Sequence, residues 1–168
     1  MKKIVLIGFA TSYKSSVGKL LADKLKVEFV DTDVEIEREC NLTVQQIFNS
    51  HGESYFRQKE NQLLLSLAPR KDTVIACGGG SVINENFERF AKNSIVIWLT
   101  VTANTVKSRL GGTPRPLFDG LNEQQLATFI ESRAPLYQRY ANLTIPTDNL
   151  TAEQVADTIY SQLQIKNP

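Results

Sequence analysis

Histidine, cysteine and tryptophan are scarce in this chain: one His, two Cys and one Trp among 168 residues. His51, Cys40 and Cys77 stand far apart and form no C-x-x-C, so the spacing of a metal site is missing. The expectation for the two cysteines is reduced thiols in a cytoplasmic protein. Long apolar runs are missing too, and none approaches the roughly 20 residues needed to span a bilayer. After Met1-Lys2-Lys3 a strand pattern begins, without the apolar stretch or small-residue cleavage site of a signal peptide. Nor is there an excess of one charge. Nineteen Lys and Arg face eighteen Asp and Glu, a net charge of +1, which argues against a nucleic-acid-binding surface while leaving room for a local basic pocket. Internal repeats and low-complexity segments are absent. What is present is 42% hydrophobic content, enough for one well-packed domain spanning residues 1–168 and short for two. A cytoplasmic monomer with no nucleic-acid or membrane partner is expected.

The most informative stretch lies at the beginning. Lys3 to Gly8 is an apolar strand run that stops at a glycine, a short polar loop follows, and Lys14-Ser15 opens a helical pattern. This is the layout G-x-x-x-x-G-K-[ST] of a phosphate-binding loop, with Tyr13 in place of the second glycine. In such a loop successive backbone N–H groups curl around phosphates and the helix N-terminus adds its positive end. The lysine reaches the outer phosphates and the hydroxyl holds Mg2+. The glycine before the lysine supplies a backbone with φ > 0, which costs Tyr on the order of 1–3 kcal/mol. The strain argument therefore expects Tyr13→Gly to bind ATP more tightly.

Strands and helices alternate along the rest. Val17, Leu20, Leu21 and Leu25 recur at helical spacing, which predicts a helix from about Lys14 to Leu25. A strand over Val27–Val30 ends at Asp31-Thr32-Asp33, with charged helical sequence on to Cys40. Thr43 and Gln46 form a capping box before a short helix, and a longer helix runs from Ser54 to Leu67. Thr73–Cys77 is a strand entering Gly78-Gly79-Gly80, and Asn84 is expected to cap a helix to about Lys92. Ser94–Leu99 is the next strand, and a helix covers Ala103–Leu110. Gly111 to Gly120, rich in Gly and Pro, reads as a lid loop. Helix resumes from Asn122 to Tyr140 with an irregularity or break at Pro135. Leu143–Ile145 is a last strand, and Thr151 and Gln154 box a final helix with Val155, Ile159 and Leu163 inward. Short continuous apolar strands alternating with helices mean an α/β fold, a parallel sheet covered on both faces. Ligands of such sheets bind at the carboxyl ends of the strands, where the polar clusters fall.

Each cluster has a chemical and an ordinary reading. Asp31 and Asp33 can serve Mg2+ and orient or deprotonate a hydroxyl, or one of them can simply N-cap the next helix. Gly78-Gly79-Gly80 lets backbone approach a ligand, or is a flexible turn. Arg57 and Arg133 can fork onto a carboxylate or phosphate, or stand solvated on their helices. Arg115, on the lid beside Pro116 and Leu117, can bring positive charge to a phosphoryl group on closure.

Taken together, several features resemble bacterial shikimate kinase over nearly the whole chain. They are the phosphate loop, Asp31-x-Asp33, Gly52-Glu53-x-x-Phe56-Arg57, Gly78-Gly79-Gly80, Arg115-Pro116-Leu117 and Arg133-x-Pro135-x-Tyr137. The resemblance implies a phosphate-loop fold like that of nucleoside monophosphate kinases. It implies ATP-dependent phosphorylation of the 3-hydroxyl of shikimate, on the way to chorismate and the aromatic amino acids. Gly8, Ala10, Thr11, Ser12, Tyr13, Lys14, Ser15 and Ser16 would then form the ATP loop, with Arg109 near the adenine. Ser15 and Asp31 would hold Mg2+, Asp31 through water. Asp33 would contact the acceptor hydroxyls and act as, or substitute for, the general base. Arg57 and Arg133 would clamp the carboxylate, and Gly79 and Gly80 would meet a ring hydroxyl. Arg115, with Lys14, would stabilise the transferring group, and Phe48, Phe56 and Leu117 would wall the ring or serve as ordinary core. Two other readings stay open: a related small-metabolite kinase such as a gluconate kinase, and a degenerate member that binds the acid or a protein without turnover.

Overall fold

The computed structural model describes residues 1–111 and 119–166. Its sheet has five strands, β1 (Ile4–Ile7), β2 (Glu28–Asp31), β3 (Thr73–Ala76), β4 (Ile95–Thr100) and β5 (Leu143–Pro146), in the order β2-β3-β1-β4-β5. Every pairing is parallel, with Val5 between Ile75 and Val96 in the centre. Parallel neighbours require crossovers, and helices supply them. They are α1 (Lys14–Leu25), α2 (Thr32–Cys40), α3 (Val44–Leu67), α4 (Phe87–Ala91), α5 (Ala103–Leu110), α6 (Glu123–Tyr140) and α7 (Ala152–Lys166).

The central strand shows why the apolar run is continuous. All four residues of β1 are buried, and alternate ones face opposite layers. Ile4 and Leu6 pack with Val17 and Leu21 of α1 and Val155 and Ile159 of α7. Val5 and Ile7 pack with Leu64 of α3, Phe87 and Phe90 of α4 and Tyr137 of α6. Fully burying such a side chain contributes about 1.5–3 kcal/mol, so both layers hold β1 in place. From β1 the chain crosses to the edge strand β2, returns to β3 beside β1, and then passes to β4 and β5 on the other side. The loop after β1 therefore opens into the crevice between neighbouring crossovers, at the carboxyl edge of the sheet.

The predicted elements fall where the periodicity puts them, with two differences. The two helices expected on either side of Gly52 are both present within α3, and they meet at Gly52, whose φ 82°, ψ 170° is non-helical. Asn84 does not cap α4; its side chain accepts from the Asn86 backbone after a 3-10 turn over Ser81–Ile83. The helix α6 passes through Pro135 without a break. The capping boxes at Thr43–Gln46 and Thr151–Gln154 form as expected. Most of the lid loop, residues 112–118, lies outside the described residues, and Arg115 and Leu117 with it. No helix among the described residues is long and apolar enough to cross a membrane.

Candidate active site

The loop after β1 keeps the wrap of a phosphate cradle despite its substitution. Gly8 takes φ 147°, and a β-carbon there would stand 2.3 Å from the carbonyl oxygen of Leu99 on β4, so only glycine fits. Tyr13 holds φ 66°, ψ 16° as the N-cap of α1, the left-handed conformation that a glycine normally supplies. Ser12 is fully buried and its hydroxyl donates to the Phe9 carbonyl at 2.8 Å. Lys14 folds back over the loop, its Nζ donating to the same carbonyl at 2.8 Å. Ala10, Thr11, Tyr13, Lys14, Ser15, Ser16 and Arg109 line one cavity together with Asp31 and Asp33. Gly8 and Ser12 do not line it; they shape the loop from beneath.

The ordinary reading of Asp31, a helix cap, holds, and the cap uses only half of its carboxylate. One of its carboxylate oxygens accepts from the N–H groups of Asp33 and Val34 and caps α2, while the other accepts the Ser15 hydroxyl. The cap sets the start of α2, and the start of α2 aims Asp33. Thr32 between them is buried and turned the other way, its hydroxyl accepting from the Gly78 N–H at 2.9 Å. Asp33 itself presents an oxygen, Oδ1, that is buried and unpartnered among the described residues. Burial, and then the charges of Asp31 and Glu60, push its carboxyl up from 3.8 to about 6, with Lys14 opposing.

A second cavity adjoins the first and shares Ala10, Asp33, Gly78 and Gly79 with it. Arg57, Arg133, Phe48, Phe56 and Phe129 complete much of its wall. Arg57 is braced on both sides, Nη1 donating to Glu60 at 2.9 Å and Nη2 to Glu53 at 3.4 Å. Arg133, on α6, donates to the Gly79 carbonyl at 3.2 Å, and the Tyr137 hydroxyl donates to the same oxygen at 2.6 Å. Burial pushes the Tyr137 hydroxyl up to about 12, so it stays protonated and donating. The glycine triplet has a use that the sequence reading did not foresee. A β-carbon at Gly78 would stand 2.6 Å from Asp33 Oδ1, and one at Gly80 would stand 2.3 Å from Arg57 Nη2. The missing side chains make room for two of the protein's own charged groups.

Glu60 was missed altogether. It is fully buried, bonded to Arg57 and, at 2.6 Å, to the Ser81 hydroxyl. Its only sequence signal, an acid three residues after an arginine on a helix, is common to many solvated helix faces.

A phosphate cradle on a parallel sheet, joined to a small cavity with two guanidinium groups and a raised carboxyl, defines a phosphate-loop kinase of small metabolites. Comparison with known proteins narrows the class. A shikimate kinase family model matches residues 11–164. The shikimate kinase of Thermodesulfovibrio yellowstonii is 40% identical over 167 residues, covering 98% of this chain and 96% of that protein. One from Dehalococcoides mccartyi is 36% identical, covering 96% and 93%. The structure of the Acinetobacter baumannii shikimate kinase in complex with shikimate superimposes with a TM-score of 0.93 at 34% identity, over 99% of this chain and 95% of that one. This chain belongs to the shikimate kinase family. A Sinorhizobium meliloti gluconokinase shares the fold alone, with a TM-score of 0.59 at 14% identity.

Proposed function

We propose that the protein transfers the γ-phosphoryl group of ATP to the 3-hydroxyl of shikimate, with the acid held in the cavity of Arg57 and Arg133 and the nucleotide in the adjoining one. The observation that carries this reading is the position of Asp33, shared by both cavities, with a buried, unpartnered oxygen and a raised carboxyl. Arg57 and Arg133 pair with the carboxylate of the acid and fix the ring by a planar fork. Asp33 orients the acceptor hydroxyl and takes its proton as the oxygen attacks the γ-phosphorus. The bond from that phosphorus to the bridging oxygen breaks, and ADP leaves. Lys14, the loop N–H groups and the positive end of α1 balance the phosphate charge. Positioning and charge stabilisation supply most of the rate, because phosphoryl transfer needs little covalent help. Arg115 belongs to this reading as the lid's positive charge.

The Ser15 hydroxyl on the Asp31 carboxylate is a hard-oxygen pair that fits Mg2+. That ion favours one or two carboxylates, phosphates and several waters over an all-protein cage. Ser15 and Asp31 would hold the ion with ATP, where it would neutralise part of the phosphate charge. The reading includes a cytoplasmic monomer acting on small molecules, in keeping with a net charge of +1 and with Cys40 and Cys77 as free thiols.

A coupled assay of ADP release with shikimate, with gluconate and with no acceptor tests the function. Release that depends on shikimate is the expected result. Release with gluconate points to the related-kinase reading, and none with either acid to the degenerate one. A finer test is Gly80→Ala. The added carbon meets the movable end of Arg57 rather than backbone, so the fold should survive while the guanidinium shifts. The KM for shikimate is expected to rise about tenfold or more, as when a charge-assisted hydrogen bond is lost. The KM for ATP should hold, and an unchanged KM for the acid would remove Arg57 from the clamp.

A further inference from the structure

Arg109, near the end of α5, is tied through both terminal nitrogens. Its Nη1 donates to the Thr11 carbonyl at 2.8 Å and to the Thr147 hydroxyl at 3.0 Å, and its Nη2 donates to the Thr147 carbonyl at 2.7 Å. Thr147 is itself fully buried, with its N–H and its hydroxyl both donating to the Thr100 carbonyl. These bonds lie in the plane of the guanidinium and leave its faces to whatever packs on them. Here that is the Tyr13 ring, whose centroid lies 3.7 Å from the guanidinium carbon. The ring is half-buried and packs in turn against the core layer of α1 and α7. It therefore links the core to the face of Arg109.

We propose that Tyr13 is a positioning residue of the nucleotide site, acting through Arg109: its ring sets the plane of the guanidinium that receives the nucleotide base. The proposal rests on the kinase reading above, which puts the nucleotide in the cavity that Tyr13 and Arg109 line together with the phosphate loop. It also reverses the sign of the strain argument. Backbone strain alone makes Tyr13→Gly the better binder of ATP. Loss of the stack leaves Arg109 held by its hydrogen bonds alone, with one face unsupported and less firmly set against the base, so the glycine chain should bind ATP less well. The loop N–H groups that meet phosphates do not depend on the ring, so the effect should be confined to ligands carrying a base.

Four chains separate the possibilities: the natural protein, Tyr13→Phe, Tyr13→Leu and Tyr13→Gly. Phe keeps the ring, Leu keeps the β-carbon and its backbone cost without a ring, and Gly removes both. Calorimetry with ATP and with inorganic tripolyphosphate, each with Mg2+, is expected to show ATP bound about 5- to 20-fold more weakly by Leu and by Gly, the range of a partly desolvated cation–π contact. Phe should restore binding to within about twofold, and tripolyphosphate should bind equally to the natural, Phe and Leu chains. In turnover the KM for ATP should move, with kcat at saturating ATP and the KM for shikimate nearly constant. ATP bound equally or more tightly by Leu or Gly would overturn the proposal and make Tyr13 an obstacle or a bystander. Parallel loss of ATP and tripolyphosphate would also overturn it, by placing the effect in the shape of the loop. Should Leu lower the melting temperature, Gly decides, since φ 66° is free of cost for glycine. Because calorimetry needs no acid, a failed shikimate assay and a failed Tyr13 proposal are read separately.

Discussion

Asp33→Asn is expected to lower kcat by about 10²-fold or more while making the protein more stable at neutral pH. The first effect follows if, as proposed, Asp33 orients or deprotonates the acceptor hydroxyl. The second follows from what holds the carboxyl near 6: burial first, then the neighbouring charges of Asp31 and Glu60. A carboxyl at about 6 when folded and at its ordinary 3.8 when unfolded binds more proton in the folded state between those values. Stability therefore falls as pH rises through that window, and above about pH 6 the charged carboxylate is a full cost. Asparagine has the same shape and no charge to desolvate, so the variant should gain on the order of 1–3 kcal/mol at pH 7. It should also lose the dependence of stability on pH between about 4 and 6. In the natural chain kcat/KM should climb through about pH 6 as Asp33 ionises, and that limb should disappear in the residual activity of the variant. Nearly normal turnover would leave Asp33 as a buried acid with no chemistry. A variant less stable than the natural chain would show that the carboxylate is better solvated than its surroundings indicate.

Arg57→Lys is expected to raise the KM for shikimate by about 10- to 100-fold, leaving the KM for ATP within about twofold. Lysine keeps the charge beside Glu60 and so avoids stranding a buried carboxylate, which removing the charge altogether would do. What it loses is the planar fork. Arg57 spends Nη1 on Glu60 at 2.9 Å and faces Phe56 with its carbon 5.4 Å from the ring centroid, while its Nε is buried and unpartnered among the described residues. An ammonium on a flexible stem reproduces neither the spacing of the donors nor the stacking. The range corresponds to the loss of one charge-assisted hydrogen bond of about 1.5–3 kcal/mol. Steady-state kinetics with each substrate varied in turn checks it. An acid KM at the natural value would return Arg57 to a purely structural ion pair with Glu60, and the substrate pocket would have to be sought elsewhere.

Much of this was written in the order of residues. The apolar run before Gly8, the helical spacing from Val17 to Leu25 and the two capping boxes needed no partner to be read, because strand and helix periodicity and end-capping are local properties. The parallel sheet followed from alternation, and the family from motifs spread along the whole chain. Strand order, the unbroken passage of α6 through Pro135 and the turn at Asn84 depend on packing between distant segments, which local pattern does not encode. The site divides in the same way. Lys14, Asp33, Arg57 and Arg133 were legible as charged residues at fixed places in motifs. Glu60 was not, since only tertiary structure distinguishes a buried carboxylate bracing an arginine from a solvated one on a helix face. The glycines show it most plainly. Their place after a strand was read as room for a ligand, but the space at Gly78 and Gly80 is taken by Asp33 and Arg57. Tyr13 is the remaining case. The sequence determined its cost, a left-handed backbone at a residue with a side chain. Only the fold brought in the partner of its ring, an arginine 96 positions away in the chain that α5 carries back over the ring at 3.7 Å.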